Sequence, residues 1–403
     1  MTLFPVKKQK KHFVTRIFVF LLPLFFVSLV SVGQVYADSS TELERQLTER
    51  IEEQLTRIDT GGLDELFQTL SQGKLWGGNF TDRVKSILSG EFAVNCNSFL
   101  DAVFRLCTQE FTSIFPLLST VAVVCILCGV VAQLKSPAFQ NSTSEIVSFV
   151  CYGVIIVSVL AGVMSLTESA KSTIAVMQKI MNLSLPVLLT LMAALGGTVS
   201  VKVYQPVLAF LSGSVVQIVV NLVLPLFLGT VVFTVVSNLS KNVRLEKLND
   251  FCKSSSNVIL GITFTVFTAF LTVQGLTAAT YDGVSVRAAK FATKNYVPIL
   301  GGYLADGFDL ILASSVLIKN AFGVAGLVLL LLAVAMPVLR ILVFSLGLKF
   351  VAALVEPITD SRITKFLNAT SKNLNVLTAC LVAVAFMFFL TVMLMIFTSN
   401  AFY

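Results

Sequence analysis

Residues 375–397 read NVLTACLVAVAFMFFLTVMLMIF, a run that contains no charged side chain. An α-helix rises about 1.5 Å per residue, so this run is long enough to cross the ~30 Å hydrocarbon core of a lipid bilayer. Uncharged runs of similar length occupy 111–134, 146–166 and 257–279. The sequence therefore predicts an all-α, polytopic membrane protein.

The composition of the 403 residues agrees with membrane insertion. Hydrophobic residues make up 56% and charged residues 13%, and the mean hydropathy is +0.87; soluble chains carry roughly 25% charged residues. The formal net charge of +7 is not gathered into a basic patch, because residues 1–37 carry +5, residues 38–110 carry −6 and residues 111–403 carry +8. We therefore expect no nucleic-acid partner.

The first 37 residues have the three parts of a secretory signal peptide. A basic segment precedes an apolar stretch at 18–32, and Val35-Tyr36-Ala37 provides a cleavage site that ends in a small residue. Cleavage after Ala37 would make Asp38 the first residue of the mature chain; an uncleaved signal anchor is the alternative. In both cases the basic end stays inside the cell and residues 38–110 are exported.

Removal of the signal peptide would also limit the chemistry of the protein. His12 is the only histidine, so the mature chain would contain none. Ser-His and Cys-His nucleophile pairs and histidine-based zinc sites would then be excluded. Cys125 and Cys128 have CxxC spacing within an apolar run, which favours buried packing over a metal or redox site. We expect no enzyme, and no catalytic residue, metal or cofactor.

Residues 38–110 are predicted to form a small extracytoplasmic segment of amphipathic helices. Apolar residues recur every three or four positions from Leu43 to Ile58, opposite a charged face. Shorter helices are expected at 63–70 and 81–88. The segment is either a docking surface for a partner outside the membrane or a cap folded on the protein's own membrane domain.

The membrane domain, residues 111–403, is predicted to contain seven to nine transmembrane helices. Three prolines are spaced through the stretch 183–238: Pro186, Pro206 and Pro225. They mark either helix starts or two spans with a kink at the last proline. The block 309–356 is assigned two spans because charged residues interrupt it. Lys and Arg are frequent in both 237–256 and 280–295, so the positive-inside rule leaves the orientation open.

Polar residues inside the predicted spans are the candidate functional residues. One helix carries small and amide residues at a spacing of four: Gly213, Gln217, Asn221, Pro225 and Gly229. This polar stripe either lines a solute path or packs against another helix, and its lack of charge favours packing. Lys319, next to Asn320, either pairs with Asp309 or extends to a membrane interface.

Residues 297–331 carry a resemblance to a known family. The run VPILGGYLADGFD at 297–309 is followed by Ile318-Lys319-Asn320-Ala321 and by glycines at 323 and 326. This motif resembles the stage III sporulation protein AE family. The stretches 185–197 and 356–362 support the resemblance, as does the order of signal peptide, acidic segment and polytopic domain.

The resemblance implies a multi-pass subunit of the mother-cell membrane in endospore-forming bacteria. Proteins of that family belong to a secretion-like channel complex that joins mother cell and forespore and sustains late forespore gene expression. The implied partners are other membrane subunits of this complex and the lipid bilayer, and a homo-oligomer stays open. The family supplies no catalytic residues. The candidate structural or pathway residues are those of its motif and the two amides of the polar stripe: Gly301, Gly302, Asp306, Asp309, Lys319, Asn320, Gln217 and Asn221.

Two other functions are considered. A stand-alone secondary transporter for a small solute predicts an internal repeat and a charged site at the membrane midplane, and neither is clear in the sequence. An intramembrane aspartate protease would need a Gly-x-Gly-Asp partner for Tyr281-Asp282, and the sequence has no such motif.

Overall fold

The computed structural model describes residues 60–71, 79–89, 96–133, 141–239, 245–296, 301–359 and 361–400, with isolated positions from 51 to 58. Nine α-helices and one π-helical turn follow each other along this part of the chain, which contains no strand. They are α1 (Gly61–Ser71), α2 (Phe80–Leu88), α3 (Cys96–Gln133), α4 (Asn141–Ala194), α5 (Thr198–Ile218), the π-helical turn (Val219–Val223), α6 (Leu224–Leu239), α7 (Glu246–Tyr296), α8 (Gly301–Val355) and α9 (Ser361–Asn400). The predicted signal peptide and its cleavage site lie outside the described residues.

Six segments of the described chain are long and apolar enough to cross a membrane. They are Thr108–Val130, Phe149–Ala194, Ser212–Leu239, Glu246–Gln274, Asp309–Val355 and Ser361–Thr398. The prediction of an all-α fold with several apolar spans is therefore confirmed. The described residues give six such segments where seven to nine spans were predicted.

The block 309–356 accounts for part of this difference, because it forms the continuous helix α8 instead of two spans. Two of the three charges in this block have partners on neighbouring helices, and the third, Lys349, is exposed near the end of α8. Lys319 is fully buried, and Arg340 forms an ion pair with Glu110 of α3. A charged residue with such a partner does not have to end a helix.

The helical structure of the stretch 183–238 is interrupted at a glycine and not at a proline. Gly196 has a φ of 85°, in the left-handed region that glycine adopts at little steric cost. The N–H of Gly197 donates to the carbonyl oxygen of Met192 at 3.0 Å, which closes the end of α4. The chain then reverses into α5, whose first residue follows directly.

The three prolines of this stretch lie within helical structure. Pro186 is inside α4 and Pro206 is inside α5, so a helix start at either residue is wrong. Pro225 is the second residue of α6, two positions after the end of the π-helical turn. Proline has no N–H to donate, and the wider turn is the local irregularity that accompanies this loss.

Helices α4 and α8 are longer than one bilayer crossing requires. Their apolar segments contain 46 and 47 residues, which corresponds to about 70 Å of helix, roughly twice the hydrocarbon thickness. The outer face of α4 changes along this length. Its exposed large apolar side chains end at Met164, and the exposed charges Glu168, Lys171 and Lys179 follow. One bilayer crossing therefore accounts for only part of α4.

Helix α8 lies at the centre of the molecule and packs against α1, α2, α3, α4, α7 and α9. Residues 321–330 are buried without exception, as expected for a helix that is apolar on every side. Helix α9 runs antiparallel to α8: Ser345 bonds to Ser371 near one end, with 2.8 Å between the two hydroxyl oxygens, and Lys319 contacts Ile396 near the other end.

Helices α1 and α2 fold onto this central core. Leu63, Phe67, Phe80 and Val84 are almost completely buried, and the ring of Phe80 meets that of Phe322 edge-on, with 5.2 Å between the centroids. These contacts favour the interpretation of α1 and α2 as a cap on the membrane domain over their interpretation as a docking surface for a partner. The polar outer faces of the two helices remain exposed. Helix α3 continues through residue 110, so the boundary drawn there marks a change of composition within one helix.

The junction of α1 and α2 depends on one carboxylate. The Oδ1 atom of Asp64 accepts a hydrogen bond from the backbone N–H of Thr81 at 3.1 Å, and Oδ2 accepts from the hydroxyl of Thr60 at 3.1 Å. Gln68 adds a bond from Nε2 to the Oδ1 atom of Asn79, at 2.7 Å. These bonds hold the two short helices in one orientation against α8.

Gly129 is predicted to be essential for the packing of α3 on the turn between α8 and α9. A Cβ atom at this position would lie 2.6 Å from the backbone oxygen of Ile358, so Gly129→Ala should lower the free energy of unfolding by about 1–3 kcal/mol. Gly153→Ala on α4 is the control, because its Cβ would meet no atom within 4 Å; it should be neutral or stabilise the helix by up to ~1 kcal/mol. Thermal unfolding of the detergent-purified variants measures both effects, and equal stability of the two would contradict the predicted contact.

Candidate functional site at the buried lysine of α8

Lys319 is the central residue of the candidate site. Its side chain is 0% exposed, and Nζ donates a hydrogen bond to the backbone oxygen of Ile396 at 2.7 Å. Ile396 lies one turn before the end of α9. Because the carbonyl end of a helix carries partial negative charge, the ammonium group stabilises the last turn of α9.

Small residues on the same face of α8 allow the neighbouring helices to approach Lys319. Gly323 lies one turn further along, and a Cβ atom there would be 2.6 Å from the Cδ1 atom of Ile396. Gly326, a further turn on, faces α4, where its Cβ would lie 3.8 Å from the hydroxyl of Ser184. Together with the ring contact of Phe322, these residues make 318–326 the segment of α8 where α2, α4 and α9 meet.

Further buried polar groups lie on the helices around this segment. The hydroxyl groups of Tyr204 on α5 and Thr398 on α9 are 3.4 Å apart. Ser184 Oγ and Asn320 Oδ1 are buried and accept or donate no hydrogen bond within the described residues. The arrangement joins α5 to the end of α9 as well, so the polar residues connect helices from several parts of the chain.

The structure changes the interpretation of the acidic residues near Lys319. Asp309 lies on the same helix, ten residues earlier and exposed, which places the two about 15 Å apart along the axis, beyond the reach of an ion pair. The alternative of extension to an interface is also wrong, because Lys319 is completely buried. Gly301 and Gly302 begin α8. Asp306 lies on its first turns, and its side chain is outside the described residues.

The polar stripe of α5 and α6 does not pack inside the molecule. Gln217 and Asn221 are both exposed, and a Cβ atom at Gly213 would meet nothing within 4 Å. Gly229, at the other end of the stripe, lies near Cys252 of α7. A packing seam within a single chain is therefore wrong for the two amides, and their functional role stays a prediction.

Two polar contacts between helices were not identified from the sequence. Arg340 Nε donates to Glu110 Oε2 at 2.8 Å, joining α8 to α3. Asn373 of α9 donates from Nδ2 to the hydroxyl oxygen of Thr234 on α6 at 2.8 Å. Glu110 is the last residue of the acidic segment and directly precedes the first apolar run. Its position at this change of composition is the only feature of the sequence that could have indicated a role for Glu110.

These contacts join neighbouring helices to one another. Lys319, Arg340 and Asn373 bind, respectively, a backbone carbonyl, an opposite charge and a hydroxyl on another helix. No group of three or more His, Cys, Asp or Glu residues that could hold a metal ion occurs in the described ranges. Cys125 and Cys128 are buried free thiols, in agreement with their interpretation as packing residues.

These features define a polytopic helical membrane protein in which buried polar residues fix the contacts between helices. Residues 78–399 match the profile of the family described as stage III sporulation protein AE. The chain belongs to this family, and the resemblance seen in residues 297–331 is confirmed.

A curated relative extends the comparison to nearly the whole chain. Stage III sporulation protein AE of Bacillus subtilis (strain 168) is 28% identical over 366 residues, which cover 90% of this chain and 91% of that protein. No solved structure matches the chain. The family and this relative support a role in sporulation.

Lys319→Met is predicted to loosen the last turn of α9 while leaving most of the fold intact. Methionine fills a similar volume, so global stability should change little, but the loss of a charge-assisted hydrogen bond should speed local opening about tenfold. Hydrogen–deuterium exchange of peptides from 390–403 measures this effect. Lys349→Met is the matched control, since Lys349 lies on the same helix and is exposed; equal exchange in the two variants would contradict the role of Lys319.

The Arg340–Glu110 pair should show an asymmetric double-mutant cycle. The side chains are 41% and 6% exposed respectively, so Arg340→Gln leaves a buried carboxylate without its partner and should destabilise by about 1–3 kcal/mol. Glu110→Gln should cost less, because the guanidinium group can reach polar surroundings. The double variant should be more stable than Arg340→Gln alone, as measured by thermal unfolding, whereas strictly additive losses would show that the two residues are not coupled.

Proposed function

We propose that this protein is a multi-pass membrane subunit of a sporulation-specific, secretion-like channel complex that links mother cell and forespore and is needed for late forespore development. Membership of the stage III sporulation protein AE family carries the proposal. In this role the protein acts by assembly with other membrane subunits and not by catalysis.

The polar contacts of α8 support an assembly role. In the motif around Lys319 the charged group binds a backbone carbonyl of α9, and Gly323 permits the close approach of the same helix. Side chains used in this way position helices relative to one another. Such residues determine the shape that a subunit presents to its neighbours in a membrane complex.

The location proposed for the protein is the mother-cell membrane, with residues 38–110 on its outer side, facing the forespore. In the cap formed by α1 and α2, the acidic residues Glu65 and Asp82 are exposed. In the proposed orientation this surface lies between the two membranes, where an extracytoplasmic partner subunit can reach it.

The stand-alone transporter is the less favoured function. It would require a solute site in the chain by itself, and the family assignment points instead to a sporulation role. The two functions differ in what the purified protein does: a transporter moves solute alone, whereas a subunit of a complex needs its partners.

Deletion of the gene in the organism that carries it tests the proposal. Sporulation should stop after engulfment, so that no heat-resistant spores form and late forespore reporters stay silent. Vegetative growth should be normal. Complementation with Lys349→Met should restore sporulation, whereas Lys319→Met should restore it less well because the end of α9 is loosened.

Two results would contradict the proposal. Normal spore formation in the deletion strain would exclude the sporulation channel. Solute flux by the purified protein alone in liposomes, with no other subunit present, would establish the transporter instead.

A further inference from the structure

Contacts between α7, α8 and α9 define a common height in the bundle. Ser345 of α8 bonds to Ser371 of α9, and Lys253 of α7 donates from Nζ to the backbone oxygen of Lys372 at 3.0 Å. We call this height the reference level, and the direction from Ser345 towards Lys319 upward. Helix α7 therefore meets the reference level near Lys253.

Helix α4 meets the same level near Gly162. A Cβ atom at Gly162 would lie 2.7 Å from the ring of Phe344, the residue before Ser345. Further along α4, Ser184 lies beside Gly326 of α8, which is above the level. Helix α4 therefore rises as its residue numbers increase.

The outer face of α4 is apolar below the reference level and polar above it. Its exposed large apolar side chains lie between positions 149 and 164, from roughly 20 Å below the level up to the level itself. The exposed residues that follow include Glu168, Lys171 and Lys179, the last of them about 25 Å above the level. The cap helix α1 packs against this upper part of α4.

Helix α3 agrees with α4. It meets the reference level at Leu118, whose side chain fills the space that a Cβ atom at Gly347 would need. Below that point, Val123, Leu127 and Val130 are exposed. The apolar surface on this side of the molecule therefore lies below the reference level.

Helix α7 carries the opposite pattern. The ring of Phe264 stacks on that of Phe386, with 5.7 Å between the centroids, so α7 rises beside α9. Its exposed apolar side chains between positions 258 and 273 lie from roughly 8 to 30 Å above the level. Below the level, Glu246 and Lys247 are exposed. On this side the apolar surface lies above the reference level and the charges lie below it.

A bilayer perpendicular to the bundle axis does not match both sides. Placed above the reference level, it would bring the exposed charges of α4 into hydrocarbon, which is unfavourable. Placed below the level, it would bring Glu246 and Lys247 into hydrocarbon and leave the apolar face of α7 in water. An inclined bilayer that meets α4 below the level and α7 above it contacts the apolar face of each helix.

We propose that the lipid bilayer contacts this protein along such an oblique belt, so that the bundle axis is tilted on the order of 40° from the membrane normal. The centres of the apolar faces of α4 and α7 differ in height by roughly 25 Å. Both helices pack against α9, which places their outer surfaces about 25–30 Å apart. The tilt follows from these two lengths.

The tilt explains two features of the molecule together. The polar part of α4 and the cap leave the bilayer on one side, and the charged beginning of α7 leaves it on the other. A long helix such as α4 can then pass obliquely through the hydrocarbon and continue into water. The inference goes beyond the channel proposal and does not depend on it, since it concerns the surface that any function of this chain presents to lipid.

Tryptophan fluorescence in bilayers of lipids brominated near the ends of their acyl chains tests the oblique belt. The single native tryptophan, Trp76, is replaced by phenylalanine, and one tryptophan is introduced into the full-length chain at each of four positions. Lys179 of α4 and Val266 of α7 form a pair above the reference level, and Val154 of α4 and Glu246 of α7 form a pair below it.

The oblique belt predicts a crossed pattern of quenching. Val154→Trp and Val266→Trp should be quenched at least about twofold more strongly than Lys179→Trp and Glu246→Trp, because only the first two contact hydrocarbon. Equal quenching of the two members of each pair would show that depth follows height along the bundle, and would overturn the proposal. Unquenched Val266→Trp would also overturn it, since lipid would then not cover α7.

The unmodified protein decides the result if a variant does not fold. Polarised infrared spectroscopy of the full chain in oriented bilayers measures the mean inclination of its helices to the membrane normal. The proposal predicts a mean on the order of 40°, whereas a mean at or below the ~20° that is average for transmembrane helices would overturn it.

Discussion

Burial of α8 on all sides is the constraint on which the rest of the structure depends. Residues 321–330 form an unbroken buried run, and a helix that is apolar all round has to be enclosed by other elements. Helices α3, α4 and α9 enclose it within the bundle. Helices α1 and α2, which do not belong to the apolar segments, also pack against it. The short cap is therefore part of the same core as the membrane helices.

An apolar core of this kind does not by itself determine which helices meet, because most apolar faces can pack against one another. Polar groups are more selective, since each needs a specific partner where water is absent. Lys319 selects the end of α9, Arg340 selects Glu110 within α3, and Asn373 selects α6. The polar residues of the bundle thus specify its arrangement, while apolar burial stabilises it.

The sequence was sufficient for the class of fold and for local elements. The run 375–397 lies within α9, and the short helix predicted at 81–88 is α2 with one additional residue. The continuity of α8 was missed because its charges resemble breaks until their partners are known. Those partners lie 77 and 230 residues away in sequence, a separation that no local pattern records. The outward direction of Gln217 and Asn221 was missed for a related reason: periodicity identifies a shared face, but not what that face meets.

The bond between Lys319 and Ile396 has a consequence for the order in which the chain is made. Synthesis proceeds from the N-terminus, so Lys319 emerges long before the carbonyl that it binds. Until α9 arrives, the lysine lacks this hydrogen bond, and the contact between α8 and the last turn of α9 cannot form. Insertion of the last helix is therefore the step that completes the bundle. A chain terminated before residue 396 would retain nearly all of the apolar sequence and still lack the group that holds this charge.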